Sequence, residues 1–493
     1  MPLLTRKKVL TIDRNATTAL PSTLDTVAYA ENITIDASAT ADVERIDRNF
    51  ALGTLSAIKD LAGQKAVEFA FGVEMKGSNT PAAEPEWSKL LEGCGFRAEA
   101  IVKATFGSGA GTLRHGELVT FSAGGTATVV SDTHDGSTTM YLYAFSGTAA
   151  AGAQTFLGED SGATGTLSTG TTGAGWAWWP VSSVTKSILF NASGLTTSLA
   201  VGDLIEGVSS GARGIVTTAA TAVASAIAIS YSPVRGSFLF NEVMSVISGT
   251  PDLDIGTLHL TDAEEQFVLS PPLAMKLFTD GKAMTGNGCR GNVSFNFEVN
   301  RPVRMDFTFR GQLASTADTP LLTGIDYANV DPPLWETSAI GFAQNETAAE
   351  DAIEDEIEPC MTAMSVDIGN QSADRKCAGA ADGLLEVLTS ARDGSGSMTV
   401  EDTLESDIGW ITRIQDNETV RLRVTVGGTA GNKFTFSMPG IQFTGHSEGD
   451  TDGIVTQDMA FRLTGGNLHD LTSNVRLSAT GGDNELVIIY HTS

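Results

Sequence analysis

The chain of 493 residues has few of the patterns from which membrane proteins, metalloproteins or enzymes are built. No apolar run approaches the ~18–20 residues of a membrane-spanning helix, so no membrane span is predicted. The four cysteines (Cys94, Cys289, Cys360 and Cys377) have no CxxC spacing, which argues against a zinc knuckle and predicts free thiols formed in a reducing cytoplasm. The six histidines form no HxH or HExxH pair, so neither a metal nor a cofactor is expected.

Positive charge is also scarce. Lys and Arg total 31 against 59 Asp and Glu, which gives a formal net charge of −28. Proteins bind DNA by replacing its counterions with Lys and Arg, so this chain is not expected to hold nucleic acid. An acidic surface could nevertheless confine DNA without retaining it.

Proline is rare and glycine abundant, with 15 and 53 residues respectively. The apolar residues occur in short runs broken by Gly, Ser, Thr and Asn, a profile typical of many short strands joined by tight turns. The length predicts roughly two to four domains. The sequence therefore predicts a mainly β protein.

The clearest pattern lies between Cys289 and Gly311. Apolar residues alternate with polar residues on both sides of a turn at Asn300-Arg301-Pro302. Because strand side chains alternate between faces, this predicts an antiparallel hairpin with one apolar and one polar face. In such sheets scaffold and surface matter more than a catalytic pocket.

Changes in composition divide the chain. We predict an N-terminal arm at 1–30, a first β domain formed by 31–104 with 258–320, an inserted β domain at 105–257, an acidic linker at 321–360 and a second β domain at 361–493. Met1–Arg14 lacks the apolar region of a secretion signal and is interpreted as a flexible basic arm.

Each β domain is predicted to contain one short helix. In the first, strands at Asn32–Ala37 and Ala66–Met75 flank a long polar loop, and a helix begins near Pro85 and stops at Gly93. In the second, a helix near Asp407–Ile414 accompanies six strands, which are Met364–Ile368, Ser397–Thr403, Val420–Val426, Lys433–Phe443, Val455–Arg462 and Glu485–Tyr490.

Two internal repetitions are visible. Within the insertion, the segment 115–129 resembles 201–216, and each is followed by an alternating strand (Met140–Phe145 and Ile227–Tyr231). On a larger scale, strand, long loop, strand, short helix and a final group of strands occur in this order in both β domains.

Four motifs have an ordinary structural interpretation. Gly286-x-Gly288-x-x-Gly291 precedes a strand instead of the helix that a dinucleotide site needs, so these are interpreted as turn glycines. Gly207–Gly211 lacks the helix of a nucleophile elbow. Asp450–Gly453 lacks the downstream Glu of a calcium loop and is interpreted as a hairpin turn. Trp176, Trp178 and Trp179 are interpreted as an anchor that closes the insertion onto its host. No catalytic residues are therefore predicted, and the protein is not expected to be an enzyme.

Several segments resemble the major tail tube proteins of long non-contractile-tailed bacteriophages. These are the segment from Asn32 to Arg45, the strand and helix from Ala66 to Phe96, the hairpin from Asp280 to Gly311, and two stretches of the C-terminal unit, Ser365–Asn370 and Gly431–Lys433. The insertion departs from the basic pattern and resembles the small β decoration domains of some such proteins.

The resemblance implies antiparallel β-sandwich or barrel tube domains with one short helix each, here duplicated, plus a small all-β decoration domain with two repeats. It implies a virion protein, synthesised in the host cytoplasm, that forms stacked rings as a conduit for DNA ejection. Three chains per ring are favoured if both β domains are tube domains, and six if only one is. The implied partners are other copies, tape measure and tail-end proteins, and viral DNA that passes without specific binding.

Contacts between rings are assigned to the arm and to the 39–63 loop, with Arg45, Arg48 and Lys59 as candidates. The alternative is a surface or secreted glycan-binding module that uses the insertion and its tryptophans. The unpaired cysteines and the missing signal sequence argue against that alternative.

Overall fold

The protein is described by a computed structural model. The described residues are 7–13, 22–25, 30–34, 36–48, 59–78, 84–106, 113, 118–122, 126–129, 139–146, 154–158, 162–180, 186–190, 198–200, 204–207, 213–216, 219–221, 227–235, 243–246, 253–257, 273–325, 330–336, 340–344, 359–378, 383–405, 407–417, 419–429, 431–464 and 485–491.

The N-terminal part of the chain contains five strands, one 3-10 turn and one helix. In chain order they are β1 (Lys8–Asp13), a 3-10 turn (Ser22–Asp25), β2 (Ala30–Glu31), β3 (Ser38–Ile46), β4 (Leu61–Glu74), α1 (Ser88–Gly93) and β5 (Phe96–Phe106).

Eleven short or medium strands follow between residues 118 and 257. They are β6 (Leu118–Phe121), β7 (Thr126–Val129), β8 (Thr139–Ser146), β9 (Thr155–Gly158), β10 (Thr164–Pro180), β11 (Lys186–Phe190), β12 (Leu204–Gly207), β13 (Arg213–Val216), β14 (Ile227–Arg235), β15 (Val243–Val246) and β16 (Leu253–Thr257).

The remaining chain contributes twelve strands and a second helix. They are β17 (Leu273–Thr279), β18 (Lys282–Glu298), β19 (Arg304–Asp318), β20 (Ile340–Gln344), β21 (Met361–Asp367), β22 (Asn370–Lys376), β23 (Leu384–Arg392), β24 (Ser395–Glu401), α2 (Trp410–Gln415), β25 (Thr419–Val426), β26 (Lys433–Thr451), β27 (Ile454–Leu463) and β28 (Val487–His491). The predicted mainly β class is confirmed, and all described strand pairs are antiparallel.

Two sets of strands have the same order in space and along the chain. The first half consists of β1–β4, α1 and β17–β19, and its sheet has the order β1-β17-β18-β19-β4-β3. The second half consists of β20–β28 and α2, and its sheet has the order β20-β25-β26-β27-β24-β21. In each half the short helix comes after the fifth strand of this order.

The insertion also contains two groups of strands with one order. Strands β5-β8-β7-β6-β9-β10 pair in sequence, and β10 pairs back with β5, which closes a six-stranded barrel. Strands β11-β14-β13-β12-β15-β16 form a six-stranded sheet with the corresponding order. The hairpins β6–β7 and β12–β13 coincide with the two segments whose sequences resemble each other.

One large hydrophobic core joins the two halves. The alternating apolar residues of the predicted hairpin, Phe295, Phe297, Met305 and Phe307, are buried beside Phe434 and Phe436 of the second half. Phe297 and Phe436 form an edge-to-face pair with ring centroids 4.8 Å apart, a geometry that aromatic pairs favour. The hairpin prediction is confirmed by the β18–β19 register.

Four predicted boundaries differ from the structure. Residues 8–13 of the predicted arm form β1, whose apolar side chains are buried against β17. The predicted 39–63 loop is largely strand, because β3 pairs with β4 although its side chains remain mostly wet. The predicted linker contains β20, which pairs with β25. The predicted boundary at 104/105 falls inside β5.

Two other local predictions were wrong. The expected strand Asn32–Ala37 is not a strand, and the chain turns where the Ala37 amide donates to the Thr34 carbonyl. Gly286, Gly288 and Gly291 lie inside β18 instead of in a turn, and the ladder is irregular between Asn287 and Arg290. Gly288 has φ of 63°, which suits a β-bulge. The acidic run 346–358 lies outside the described residues.

Candidate functional site

The two halves share one continuous sheet. Strand β18 of the first half pairs with β21 of the second, from Ser294 opposite Asp367 to Glu298 opposite Ala363. The resulting order is β3-β4-β19-β18-β21-β24-β27-β26, an eight-stranded ribbon. One side of this ribbon covers the hydrophobic core, and we call the other side the polar face.

The polar face results directly from the period-two alternation of each strand. Registers across the joint align polar residues in rows, such as Asn296 opposite Ser365 and Ser365 opposite Ser397. The strand positions on this face carry three arginines, Arg304, Arg310 and Arg462, and an excess of carboxylates, which are Glu68, Glu74, Asp306, Asp367 and Asp458.

Each of the three arginines is paired with aspartate. Arg304 donates to Asp36 and Asp306, with both N···O distances at 2.6 Å. Arg462 lies 2.6 Å from a carboxylate oxygen of Asp393. Paired guanidinium groups have fewer donors available for phosphate, so the positive charges of this face are already engaged within the chain.

Arg310 connects the two halves. It bridges Asp42 of β3 at 2.9 Å and Asp374 of β22 at 3.0 Å. Gln64 donates to the same Asp374 carboxylate at 2.5 Å. The hairpin β22–β23 also buries Leu384 and Val387 against Ala66 of β4, so it covers one end of the first half's polar face.

The carboxylates of this network are stabilised in their charged form. The hydrogen bonds from Thr34 and Arg304 lower the pKa of Asp36. The hydrogen bonds from Arg310 and Gln64 lower the pKa of Asp374. A carboxylate that accepts several donors, some of them cationic, keeps its negative charge to lower pH. The polar face therefore remains ionised across the neutral range.

Side chains beside β18 and β21 reinforce the joint between the halves. Asn292 donates to Asp367 at 2.7 Å and accepts from the backbone amide of Asn370 at 2.9 Å. Asn370 in turn donates to the carbonyl of Gly291 at 3.1 Å. The joint thus combines a strand ladder with side-chain bonds on both partners.

The predicted contact residues lie at one end of the hairpin β3–β4. Arg45 is exposed on β3, Arg48 follows that strand by two residues, and Lys59 precedes β4 by two residues. The pairs Arg45–Ala62 and Ile46–Leu61 bring the strand ends together. The structure therefore collects the three cations at one tip, while the 49–58 segment between them lies outside the described residues.

The tryptophans occupy the interior. Trp178 is fully buried in the main core, its ring lies 4.9 Å from that of Trp87, and its Nε1 donates to Ser88 Oγ at 2.7 Å. The same stretch pairs with the C-terminal strand, Trp176 with Tyr490 and Trp178 with Ile488. The predicted anchoring role agrees with this packing of β10 between α1 and β28.

The remaining motifs have structural roles. Asp452 and Gly453 form the two-residue turn of the hairpin β26–β27, with φ of 55° and 86°, as expected for an Asp-Gly turn. Gly207 ends β12, which pairs with β13 as a hairpin. Among the described residues, no group of His, Cys, Asp and Glu could hold a metal ion.

Sequence reasoning missed the correspondence between the two polar faces. Its signal is short: Asp306-Phe-Thr-Phe309-Arg310 on β19 matches Asp458-Met-Ala-Phe461-Arg462 on β27. In both strands the Phe has a glycine partner that leaves room for its ring, Gly291 opposite Phe309 and Gly396 opposite Phe461.

No helix in the described part of the chain is long and apolar enough to cross a membrane. No protein-family model matches the sequence. No curated protein matches it either.

Proposed function

We propose that this chain is a structural virion protein that polymerises into stacked rings forming the tail tube of a long non-contractile-tailed phage, a conduit for DNA ejection. One observation carries the proposal. Two halves with one strand order are joined by β18–β21 pairing into an eight-stranded ribbon whose core side is packed and whose other side is polar. We interpret the two halves as a duplicated tube domain, and the insertion as a decoration domain.

The ribbon has dimensions that suit a tube. Three chains with eight strands each would supply about 24 strands to one barrel. With strands about 4.8 Å apart and tilted about 40°, such a barrel has a backbone diameter of about 45–50 Å. This leaves room for duplex DNA inside a wall of side chains. Closure into a barrel would also remove exposed strand edges, which favours a ring over an open sheet.

The charge of the polar face suits passage of DNA. Arg304, Arg310 and Arg462 are engaged by aspartates, and carboxylates are in excess on the face. DNA binding requires cations that replace counterions, and a wall of this kind offers few. We therefore assign the polar face to the lumen, where it repels phosphate weakly and allows sliding.

The proposed partners belong to the same assembly. Other copies of the chain form the ring, with three favoured over six because each chain supplies two halves. Tape measure and tail-end proteins are further partners by family resemblance, and viral DNA passes through the lumen without specific binding.

Electron microscopy of the purified protein tests the proposal. The expected result is rings or tubes with pseudo-sixfold symmetry, and mass measurement of a solubilised ring should give three chains. Six chains per ring would contradict the duplicated tube domain. A protein that stays monomeric at all concentrations would contradict the tube function itself.

The glycan-binding alternative has less support. Trp178 and Trp179 are buried, so these two rings have no open face on which a sugar could stack. Binding of the purified chain to a glycan array, together with a lack of rings, would favour this alternative.

A further inference from the structure

The joint between the halves has two open counterparts in the same chain. Strand β26 occupies the position in the second half that β18 occupies in the first, and β3 corresponds to β21. Strand β25 pairs with β26 only as far as Gln442, and β27 occupies the other edge from Ile441 to Thr451. Among the described strands, none pairs with the second edge of residues 445–451.

Strand β3 presents the complementary open edge. It pairs with β4 on one side, and no other described strand pairs with it. Its counterpart β21 has two strand neighbours, β24 on one side and β18 on the other. Within one chain, therefore, the first half lacks the neighbour of β3 that would correspond to β18, and the second half lacks the neighbour of β26 that would correspond to β21.

The internal joint fixes the expected register on the β26 side. Asp306 pairs with Ser294, and its counterpart Asp458 pairs with Ser447. Ser294, which faces β21, thus corresponds to Ser447. Glu298, at the end of the internal joint, corresponds to Thr451 by the same count.

The register on the β3 side is given by the neighbouring ladders. Thr308 pairs with Ala70, which pairs with Ser38. The corresponding residues in the second half are Ala460, Ser397 and Ser365. Ser38 therefore corresponds to Ser365, and Thr40 to Asp367. Because Asp367 lies opposite Ser294 in the internal joint, Thr40 is expected opposite Ser447.

Exposure supports an occupant at the tip of the same hairpin. Ile46 and Leu61 are each 49% exposed at the tip of β3–β4. The corresponding hairpin β22–β23 instead buries Leu384 and Val387 on the preceding half. Arg462, the counterpart of the bridging Arg310, has a side chain that is 58% exposed, against 25% for Arg310.

We propose that the open edge of β26 at residues 445–451 binds β3 of a second copy of this chain, in the register of the β18–β21 joint. The hairpin β3–β4 of that copy covers the Arg462 end of the polar face, as β22–β23 covers the Arg310 end within one chain. The interface is heterologous, so successive copies join head to tail and close a ring. This inference rests on the proposed function and names the surfaces that perform it.

Site-directed cross-linking tests the register. In a background with Cys360→Ser and Cys377→Ser, Thr40→Cys and Ser447→Cys are combined in one chain, and assembled protein is treated with a short bismaleimide. The expected products are covalent dimers and closed trimers. Each single variant should give no cross-link, and a mixture of the two single variants should give dimers only.

These controls separate the possible outcomes. Dimers from a single variant alone would indicate a symmetric interface and overturn the proposal. Rings seen by microscopy without cross-links in the double variant would overturn the interface while leaving the tube function in place. Absence of both rings and cross-links would overturn both.

Hydrogen exchange provides a measurement that needs no variant. Backbone amides in 38–46 and 445–451 should exchange at least ten times more slowly in assembled protein than in dissociated chains, because a new ladder protects them. Unchanged exchange in both segments on assembly would contradict the proposed pairing.

Discussion

Asp374 of the second half accepts two hydrogen bonds from Arg310 of the first, from Nε and Nη2, each at 3.0 Å. Bidentate pairs of this kind fix orientation as well as contributing energy. The side chains are only 18% and 25% exposed, so screening by solvent is limited. This pair therefore ties the β22–β23 hairpin to the face of the other half.

Replacing Asp374 should loosen that tie. Asp374→Ala is expected to lower the free energy of unfolding by about 1–3 kcal/mol at pH 7, since it removes charge-assisted bonds while Asp42 still pairs with Arg310. Chemical denaturation gives the value. Asp393→Ala, which removes the partner of the more exposed Arg462, is the matched control and should change stability less.

The contribution of Asp374 should also depend on pH. Its pKa is lowered by Arg310, so its stabilising effect is complete above the unfolded pKa of about 3.9 and is lost as pH falls through the lower folded value. The stability difference between wild type and Asp374→Ala should therefore shrink only in strong acid. A difference that disappears already at pH 6 would contradict this assignment.

His491 should make the C-terminal strand sensitive to mild acid. Burial, and secondarily Lys433, lowers its pKa from 6.5 to about 4, and Thr435 shares a hydrogen bond with its Nε2 at 2.9 Å. Because the unfolded chain binds a proton at higher pH than the folded one, stability falls as pH drops from about 6.5 towards 4, by on the order of 3 kcal/mol.

Urea denaturation at pH 7 and pH 4.5 measures this loss. His491→Gln should retain a polar partner for Thr435 and reduce the difference between the two pH values. An equal loss in the variant would assign the acid sensitivity to other groups.

Trp178 should be the residue on which docking of β10 depends most. Trp178→Ala is expected to destabilise the chain by about 3–5 kcal/mol, because it empties a site between Trp87 and Ser88 in the main core. Trp178→Phe should cost less, since a ring remains and mainly the bond to Ser88 is lost. Denaturation followed by tryptophan fluorescence checks both, and equal effects of the two variants would contradict the packing argument.

The four cysteines should divide into two classes. Burial raises the pKa of Cys94 and Cys289, whereas Cys360 and Cys377 are exposed. Since the thiolate is the reactive form, a maleimide should label two thiols in the native chain and four after denaturation. Mass spectrometry of the labelled peptides identifies the sites, and rapid native labelling of Cys289 would contradict its burial.

The sequence predicts the fold best where one face is buried. Phe295, Phe297, Met305 and Phe307 alternate with polar residues, so the hairpin β18–β19 could be identified directly. Strand β3 was missed because Thr40, Asp42 and Glu44 give it no apolar stripe, and its outer edge has no strand neighbour within the described chain. Local pattern indicates burial, and a strand that is wet on both faces has no such pattern.

The polar face could be predicted only as a set of residues. Arg310 and Asp374 are 64 positions apart in sequence, and nothing local indicates that they meet. The joint of β18 with β21 is likewise a long-range pairing. The repeated Asp–Phe–Arg pattern on β19 and β27 was the one sequence signal that could have indicated equivalent faces.

The two halves differ most in the chain segment that leads out of each short helix. Between Gly93 and Leu273 the first half carries the whole insertion, whereas α2 and β25 are separated only by residues 416–418. In a ring of three chains, the insertions would project at every second position, about 120° apart. The wall would then alternate decorated and bare sectors. A duplicated chain can vary its outer circumference in this way while its inner wall stays uniform.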